Sequence, residues 1–153
     1  MMAEKEYDSK MHTAEHILNS VMQRMFGCGR SFRSHIEKKK SKCDYHYDRM
    51  LTNTEIKAVE TAVNEIISKD ISVSMEFISR GEAESKYFTG KLPSDVVDNI
   101  RIVKIGDYDA CPCIGPHVKR TGEIGEFSIS TADWENGVLR IRFRLGTHYS
   151  FVS

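Results

Sequence analysis

The sequence predicts an α+β fold in a single domain, with a mainly antiparallel sheet packed against two longer helices and one short helix. Three observations support this. The chain has 153 residues, a common length for one domain. Two stretches carry apolar residues at helical spacing and several shorter ones alternate apolar with polar residues. These stretches follow one another without a regular βαβ rhythm, which argues against a parallel sheet.

The first helix is expected over residues 9–26, where apolar residues recur at steps of three and one. Gly27 follows as a stop signal. A second helix is expected over 54–69. Thr52 precedes it with Glu55 three residues later, a spacing that predicts a capping box, in which each side chain bonds the other residue's backbone amide.

The strands are expected mainly in hairpins. The predicted short helix covers 82–88. Asn136-Gly137 is a dipeptide that tolerates the positive φ of a tight hairpin turn. The strand regions are a hairpin over 31–48, single strands over 71–77 and 100–105, and a last hairpin joining 127–129 to 139–145.

Composition excludes several classes of protein. The 22 basic and 22 acidic residues balance, so a uniformly basic nucleic-acid-binding chain is excluded, although a local basic patch is not. Four cysteines are too few for a secreted disulfide scaffold of this size. The polar first ten residues do not look like a signal peptide, and no run approaches the roughly 20 apolar residues of a membrane span. We therefore expect a cytoplasmic protein with reduced cysteines.

The first chemical motif is His12-Thr13-Ala14-Glu15-His16, on the first predicted helix. Two histidines four residues apart lie on the same helix face, so both imidazoles can reach one ion. A helical wheel places them opposite the apolar stripe, on a ridge with Asn19 and Gln23. The alternative is a pair of solvated histidines on an exposed face.

The second motif is Cys111-Pro112-Cys113-Ile114-Gly115-Pro116-His117. Cys113 and His117 are again four residues apart, but glycine and proline predict a tight loop, and a thiolate with an imidazole suits zinc. The alternative is a structural turn with a half-buried cysteine. Together the motifs predict one divalent-metal site that suits a single zinc ion, with His12, His16, Cys113 and His117 as ligands. Cys111 could replace Cys113, but the spacing of Cys113 to His117 favours Cys113.

These motifs resemble a known family. H-T-A-E-H at 12–16, I-V-K-I-G-D at 102–107, C-I-G-P-H-V at 113–118 and T-G-E-I-G at 121–125 are similar to the second additional domain of threonyl- and alanyl-tRNA synthetases and of freestanding alanyl-tRNA editing proteins. H-T-A-E-H-I-L resembles the alanyl branch, and Gly115-Pro116-His117 the threonyl branch. The resemblance covers nearly the whole chain and implies one editing-type domain over 1–153.

The resemblance implies an aminoacyl-tRNA deacylase. Its substrate would be a mischarged tRNA, from whose 3′ end it would remove serine or glycine in trans by metal-dependent ester hydrolysis. In that family the two motifs form the editing site, so the implied catalytic residues are the four ligands. Glu15 is added as a partner of His12 or a base, although it is equally typical of an ordinary carboxylate at a helix edge.

Three basic groups are candidates for contact with tRNA phosphates, which supply most sequence-independent affinity. Lys119 and Arg120 follow the metal loop directly. Arg140, Arg142 and Arg144 alternate along the last strand, where the alternative is a solvated face balanced by acidic neighbours. Four lysines lie at the tip of the first predicted hairpin, where charged residues are common: Lys38, Lys39, Lys40 and Lys42.

Two other functions fit part of the pattern. H-x-x-E-H at 12–16 is also the inverted zinc-protease motif; a metallopeptidase would need a third ligand such as Glu82 or Glu84 and would leave Cys113 idle. A non-catalytic zinc-stabilised domain that binds tRNA or a protein would use the same four ligands, and chelation would unfold it.

Overall fold

The structure, a computed structural model, describes residues 8–87 and 99–146. Within these ranges it contains three α-helices, seven strands and one 3-10 helix, which confirms the α+β class. The elements in chain order are α1 (Ser9–Phe26), β1 (Arg33–His35), β2 (Ser41–His46), α2 (Asn53–Ser68), β3 (Val73–Ile78), α3 (Arg80–Lys86), β4 (Ile100–Ile105), β5 (Asp109–Pro112), the 3-10 helix (Thr121–Glu123), β6 (Phe127–Glu135) and β7 (Val138–Leu145).

The strands form two antiparallel sheets instead of the one expected. The first has the order β1-β2-β7-β6, and the second has the order β3-β4-β5. The main core joins α1 and α2 to the inner face of the first sheet. A smaller core of Ala83, Ile100 and Ile102 lies between α3 and the second sheet. No helix among the described residues is long and apolar enough to span a membrane.

Helix α1 has the bounds that the sequence predicts. The Asp8 side chain accepts a hydrogen bond of 3.0 Å from the amide of Met11. At the other end Gly27 has a φ of 70° and donates its amide to the Gln23 carbonyl. This left-handed conformation costs glycine little, so Gly27 ends the helix as expected.

Helix α1 is buried on two opposite sides. Its apolar stripe lies in the main core. The opposite ridge is also covered, because His16 and Asn19 are only 4% and 3% exposed. The alternative of two solvated histidines is therefore wrong for His16, since β5 packs against this side of the helix.

Helix α2 carries the predicted capping box between Thr52 and Glu55 and also closes an edge of the first sheet. The Asn64 amide donates to the Phe127 carbonyl and accepts from the Phe127 amide, both at 2.9 Å. Glu60 accepts from the amide of Ile129 at 2.7 Å. These bonds satisfy backbone groups of edge strand β6 that would otherwise invite pairing with another chain.

The last hairpin turns at the predicted dipeptide. Asn136 and Gly137 have φ values of 50° and 82°, as a two-residue turn of the primed type requires. Along β7, Leu139, Ile141 and Phe143 are fully buried, Leu145 is partly buried, and the arginines lie on the outer face. The predicted alternation of this strand is confirmed.

Some local expectations were wrong. The short helix begins at Arg80 and ends at Lys86, and Phe88, its predicted end, lies outside the described residues. Strand β5 was not predicted, because four residues leading into a Gly-Pro loop carry too little alternation. Strand β3 was found by its alternation, yet Met75 and Phe77 are 46% and 62% exposed.

Candidate metal centre

Four side chains from two distant parts of the chain meet beside α1. They are His12 and His16 of α1 and Cys113 and His117 of the loop after β5, and one nitrogen or sulfur atom from each lies within 4.8 Å of all the others. The histidine rings pack closely: those of His12 and His117 are stacked at 4.4 Å between centroids. These four are the ligands that the sequence predicts, and together they could hold one metal ion.

The ring of His12 is oriented by the loop. Its Nδ1 lies 3.2 Å from the carbonyl oxygen of Pro116. Because a carbonyl can only accept, Nδ1 carries the proton in this contact. The lone pair is then on Nε2, which lies 3.3 Å from Sγ of Cys113.

The ring of His117 is oriented by Thr13. The Thr13 hydroxyl lies 3.0 Å from the Ser9 carbonyl and accepts the Val118 amide at 3.1 Å. Its single proton goes to that carbonyl, so it must accept from Nδ1 of His117, 2.9 Å away. This leaves the lone pair on Nε2, which lies 3.5 Å from Sγ of Cys113.

These distances fit a tetrahedral site. With Zn–N near 2.0–2.1 Å and Zn–S near 2.3 Å, neighbouring nitrogen and sulfur ligands stand about 3.5 Å apart. The two separations from Cys113 Sγ are 3.3 and 3.5 Å. The donor set, the spacing and both tautomers therefore suit a soft to borderline divalent ion.

The loop is held in place by Arg101 of β4. Its Nε donates to the Cys113 carbonyl at 2.8 Å, and Nη2 donates to the Gly115 carbonyl. The loop also needs glycine at its centre: a Cβ on Gly115 would overlap the ring of His12. The Gly115 amide in turn donates to Sγ of Cys113 at 3.4 Å.

A buried ion pair lies behind His16. Arg30 donates to both carboxylate oxygens of Asp109 at 2.8 and 3.3 Å, and these side chains are only 11% and 6% exposed. The nearer oxygen of Asp109 lies 3.9 Å from Nδ1 of His16. Nδ1 of His12 and of His117 thus lies within hydrogen-bond distance of a protein oxygen, whereas Nδ1 of His16 faces Asp109 at the longer distance of 3.9 Å.

Burial determines the protonation states of His117 and Cys113 in the metal-free protein. It lowers the pKa of His117 to about 3, with help from the nearby charges of His12 and Arg101, so this imidazole is neutral and can act as a ligand. Burial raises the pKa of the Cys113 thiol, against the opposing effects of the Gly115 amide and Arg101. A metal ion must displace that proton.

Cys111 does not join the cluster. Its thiol is buried and directed to the carbonyl of Pro112 at 3.4 Å. Burial raises its pKa to about 12, so it stays protonated. Of the two cysteines in the motif, the structure places Cys113 with the histidines.

The cluster opens into a cleft of about 440 Å³, which lies between α1, the loop and strand β1. Glu15 lines it and is only 5% exposed; one carboxylate oxygen lies 3.7 Å from Nε2 of His12, and the other accepts from the Ser34 hydroxyl at 2.8 Å. Below them, Asn19 accepts from the Tyr45 hydroxyl at 2.7 Å. A buried carboxylate thus lines the same cleft as three of the four donors, His12, His16 and Cys113.

The candidate tRNA-binding residues lie outside the cleft and differ in how far their charges are already neutralised. Lys119 is exposed, whereas Arg120 binds Asp70 at 3.0 Å and also Ser72. The arginines of β7 share the outer face of the first sheet. Arg140 binds Asp44 through two bonds of 2.7 and 2.9 Å, Arg142 binds Asp133 at 2.8 Å, and Arg144 is exposed.

Neither of the two residues considered as the third ligand of a metallopeptidase lies at the site. Glu82 and Glu84 lie on α3, where they pair with Lys86 and Arg80 at 3.1 and 2.9 Å. The two histidines of H-x-x-E-H meet Cys113 and His117 instead.

Sequence reasoning missed the residues that orient the ligands. Thr13 stands inside the first motif, so its position was a usable signal. The others carry no signal in the sequence alone, because their partners are far away along the chain: Arg30, Ser34, Arg101 and Asp109.

Comparison with known proteins agrees with the family resemblance of the two motifs. Residues 100–142 match the family described as the threonyl and alanyl tRNA synthetase second additional domain. The alanine–tRNA ligase of Fervidobacterium nodosum is 38% identical over 132 residues, which are 85% of this chain and 15% of that protein. That of Treponema denticola is 33% identical over 145 residues, or 90% of this chain and 23% of that protein. That of Cenarchaeum symbiosum is 36% identical over 142 residues, which are 90% of this chain and 16% of that protein.

The chain therefore spans less than a quarter of the length of these curated relatives. The family match includes Cys113 and His117, and the longer alignments extend over most of the chain. The resemblance drawn from the two motifs is confirmed: residues 100–142 match the threonyl and alanyl tRNA synthetase second additional domain family, and most of the chain is similar to alanine–tRNA ligases.

Proposed function

We propose that this chain is a metal-dependent aminoacyl-tRNA deacylase, and that residues 1–153 form one editing-type domain. Its reaction is hydrolysis of the ester between a wrongly attached small amino acid, serine or glycine, and the 3′ end of tRNA. One observation carries the proposal: the four-donor cluster opens into a cleft that also holds the buried carboxylate of Glu15. The relation to alanine–tRNA ligases supports tRNA as the substrate.

His12, His16, Cys113 and His117 would hold one zinc ion. Zinc bound there would supply Lewis acidity, which polarises a carbonyl or lowers the pKa of a water molecule. The protein's own contribution is orientation, since the Pro116 carbonyl and Thr13 direct two imidazole lone pairs to one point. Arg101 fixes the loop that carries the thiol.

Glu15 is proposed to handle the proton of the reaction. Its carboxylate is held by Ser34 at 2.8 Å and lies beside His12. A water molecule in the cleft would add to the acyl carbon while one carboxylate oxygen of Glu15 takes its proton. When the bond from the acyl carbon to the ribose oxygen breaks, the same carboxyl group returns the proton to that oxygen.

The amino acid and the RNA are assigned on separate grounds. Serine or glycine follows from the resemblance of H-T-A-E-H-I-L to the alanyl branch. The RNA contacts are proposed for the basic residues near the cleft and on the outer sheet face. They are Lys119, Arg120, Arg140, Arg142 and Arg144.

A non-catalytic zinc-stabilised domain is the second candidate. The observation in its favour is the number of donors, because four protein ligands fill a tetrahedral zinc site, as in structural centres. The two candidates differ in what happens to tRNA. The structural candidate requires unfolding on chelation and no loss of the ester.

The test uses tRNA of the alanine and threonine types, each charged with serine or glycine and incubated with the purified protein. We expect ester loss that stops when a chelator removes the metal and returns when zinc is restored. His12→Ala and Glu15→Gln should each lower the rate by about 100-fold or more. If every charged tRNA keeps its ester, the deacylase proposal is wrong.

Two measurements separate a chemical role from a folding role. Cys113→Ser should lower the bound metal below one ion per chain, whereas the matched Cys111→Ser variant should keep one, because only Cys113 lies in the cluster. Circular dichroism with and without chelator reports folding. Metal-free protein that is fully unfolded and metal-loaded protein that is inactive would favour the structural candidate.

A further inference from the structure

Two neighbouring rows of side chains cross the outer face of the first sheet, and they differ in charge. The first row runs across four strands through the register pairs Arg33–Asp44, Asp44–Arg140 and Arg140–Asp133. Its charges alternate in sign. Asp44 binds both arginines at 2.7 Å, so its charge is neutralised within the protein.

The second row contains no acidic residue. It runs through the pairs His35–Lys42 and Lys42–Arg142 and ends at Thr131 of β6. We call these three residues, His35, Lys42 and Arg142, the basic row. Like charges directly opposite one another on neighbouring strands destabilise a sheet, so the Lys42–Arg142 pair has a cost that the first row avoids.

Internal partners offset this cost only in part. Arg142 donates through Nη1 to Thr131 at 3.2 Å and to Asp133 at 2.8 Å, and its Nε and Nη2 have no acceptor among residues 8–87 and 99–146. Lys42 forms no ion pair within residues 8–87 and 99–146, in contrast to Arg33 and Arg140 of the first row. Within the part of the chain that the structure describes, Lys42 therefore has no acidic partner, and Arg142 has only Asp133.

The surface over the basic row is concave. A depression of about 220 Å³ is lined by the row together with Lys40, Ser41 and Glu37. Ser41 Oγ is engaged with the backbone of Glu37 at 2.9 and 3.0 Å, which fixes the hairpin end that brings Lys40 in. Among the residues that line the depression, the three cations Lys40, Lys42 and Arg142 outnumber the carboxylate of Glu37. The site is shaped and charged for a small anion.

The depression and the metal cleft lie on opposite sides of one strand. Along β1 successive side chains point to opposite faces: Ser34 lines the cleft, and His35 lines the depression. Arg33, on the same side as His35, also reaches the rim of the cleft. An extended ligand that enters the cleft across β1 would pass close to the basic row, because Ser34 of the cleft and His35 of the row are adjacent residues of that strand.

We propose that the basic row, with Lys40, binds a backbone phosphate of RNA whose 3′ end enters the metal cleft. This inference rests on the proposed deacylase function and adds to it a defined anion site. The ligand is a phosphodiester, recognised by the guanidinium of Arg142, the ammonium groups of Lys42 and Lys40, and the imidazole of His35. Phosphate contacts of this kind fix the register of a nucleic acid without reading its sequence.

The first experiment tests the anion site without tRNA. The melting temperature of the wild-type protein is measured in sodium phosphate and in sodium chloride at equal ionic strength. Phosphate should raise it by about 2–4 °C more in the wild type than in Lys42→Gln. Lys57→Gln, which removes an equal charge from an exposed position on α2, should behave as the wild type. Equal phosphate effects in all three proteins would contradict the anion site.

The second experiment measures binding of uncharged tRNA by fluorescence anisotropy over a range of salt concentrations. Lys42→Gln should weaken binding about fivefold at low salt and reduce the slope of log K against log salt by about 0.7–1, the loss of one phosphate contact. Lys57→Gln should change neither quantity. If Lys42→Gln loses the phosphate effect but binds tRNA as Lys57→Gln does, the RNA assignment is wrong.

These results can be separated from those for the deacylase itself. Binding uses uncharged tRNA, so it does not depend on hydrolysis. Wild-type protein that binds tRNA through Lys42 but leaves every ester intact would contradict the deacylase proposal and uphold the phosphate site. If the protein hydrolyses the ester but Lys42 contributes nothing to tRNA affinity, the deacylase proposal is upheld and the phosphate site is contradicted.

Discussion

The hydroxyl of Thr13 lies 2.9 Å from Nδ1 of His117 and joins the two halves of the candidate metal centre. The same oxygen accepts the Val118 amide and donates to the Ser9 carbonyl. One threonine on α1 therefore fixes both the position of the loop and the tautomer of its histidine. This is a positioning role, since Thr13 is not among the four donors.

We expect Thr13→Val to weaken zinc binding by about 10- to 100-fold, the usual effect of losing a partner that orients a metal ligand. Valine has a similar shape but cannot accept the Nδ1–H of His117. Thr13→Ser keeps the hydroxyl and should retain most of the affinity. Competition with a chromophoric chelator measures both variants, and equal affinity in Thr13→Val and the wild type would refute the role.

Gly115 gives a second test of the loop. A Cβ at this position would overlap the His12 ring, so Gly115→Ala should displace His12 or the loop and lower zinc affinity by at least about tenfold. The matched control is Gly81→Ala in α3, where a Cβ meets nothing within 4 Å. That change should leave zinc affinity unaltered and stabilise the fold by about 0.5–1 kcal/mol. A Gly115→Ala variant that binds zinc as the control does would contradict the close approach.

Asp109 is expected to orient His16. Its carboxylate lies 3.9 Å from Nδ1 of His16 and is held by Arg30. A proton on Nδ1 would leave Nε2 for the metal, as in the other two histidines. Nitrogen chemical shifts of the metal-free protein should report this tautomer for His16 in the wild type and a mixture of tautomers in Asp109→Ala.

Zinc affinity provides the second measurement for Asp109. We expect a loss of about 10- to 100-fold in Asp109→Ala and a smaller loss in Asp109→Asn, whose amide oxygen can still accept. Unfolding in urea must be followed in parallel, because removing Asp109 leaves the buried charge of Arg30 without its partner. Reduced stability with unchanged zinc affinity and an unchanged tautomer would assign Asp109 a purely structural role.

Much of the site could be predicted from the sequence because its two halves are local patterns. The i, i+4 histidine pair follows from helix geometry, and the Cys113–His117 loop follows from its glycine and prolines. The capping box of Thr52 and Glu55 and the Asn136-Gly137 turn are local in the same sense. Each prediction needed only neighbours along the chain.

The remaining features depend on contacts between distant residues. Burial of His16 requires β5, which sequence alternation did not reveal. The bonds from Arg101 to the loop cross between β4 and residues 113–115, and the Arg30–Asp109 pair joins positions 79 residues apart. An arginine that alternates with isoleucines along a strand is indistinguishable, by pattern alone, from a solvated surface arginine.

Asp44 should make stability depend on pH in the acid range. Hydrogen bonds from Arg140 lower the pKa of this buried carboxyl group below its ordinary value, despite the opposing effect of burial, and Arg33 contributes in the same direction. A group whose pKa is lower in the folded state stabilises the fold above its unfolded pKa, near 3.9. That contribution is lost as pH falls through the lower folded value.

We therefore expect Asp44→Asn to be less stable than the wild type at pH 7 by about 1–3 kcal/mol, with the difference shrinking as pH falls below about 4. Urea unfolding at a series of pH values measures it. Asp133→Asn is a suitable control on the same sheet face, because Asp133 is 65% exposed and its pair with Arg142 should contribute little. A constant difference between wild type and Asp44→Asn down to pH 2 would contradict the assignment.

Lys119 and Arg120 are adjacent but should respond differently to charge reversal. Lys119 is exposed, and its backbone carbonyl accepts the Val73 amide at 2.8 Å, so Lys119→Glu changes a surface charge beside the metal loop. It should weaken tRNA binding and flatten its salt dependence. Arg120 is engaged with Asp70 and Ser72, so Arg120→Glu should also destabilise the protein by placing two carboxylates together.

Comparing the two variants separates tRNA binding from folding. Lys119→Glu should keep the wild-type urea midpoint while its tRNA affinity falls, and Arg120→Glu should lower both. Asp70→Asn combined with Arg120→Glu should recover part of the lost stability, since the repulsion is removed, but not the tRNA affinity. If Lys119→Glu binds tRNA as the wild type does at low salt, the loop does not contact the phosphates, and RNA affinity must come from the outer face of the first sheet.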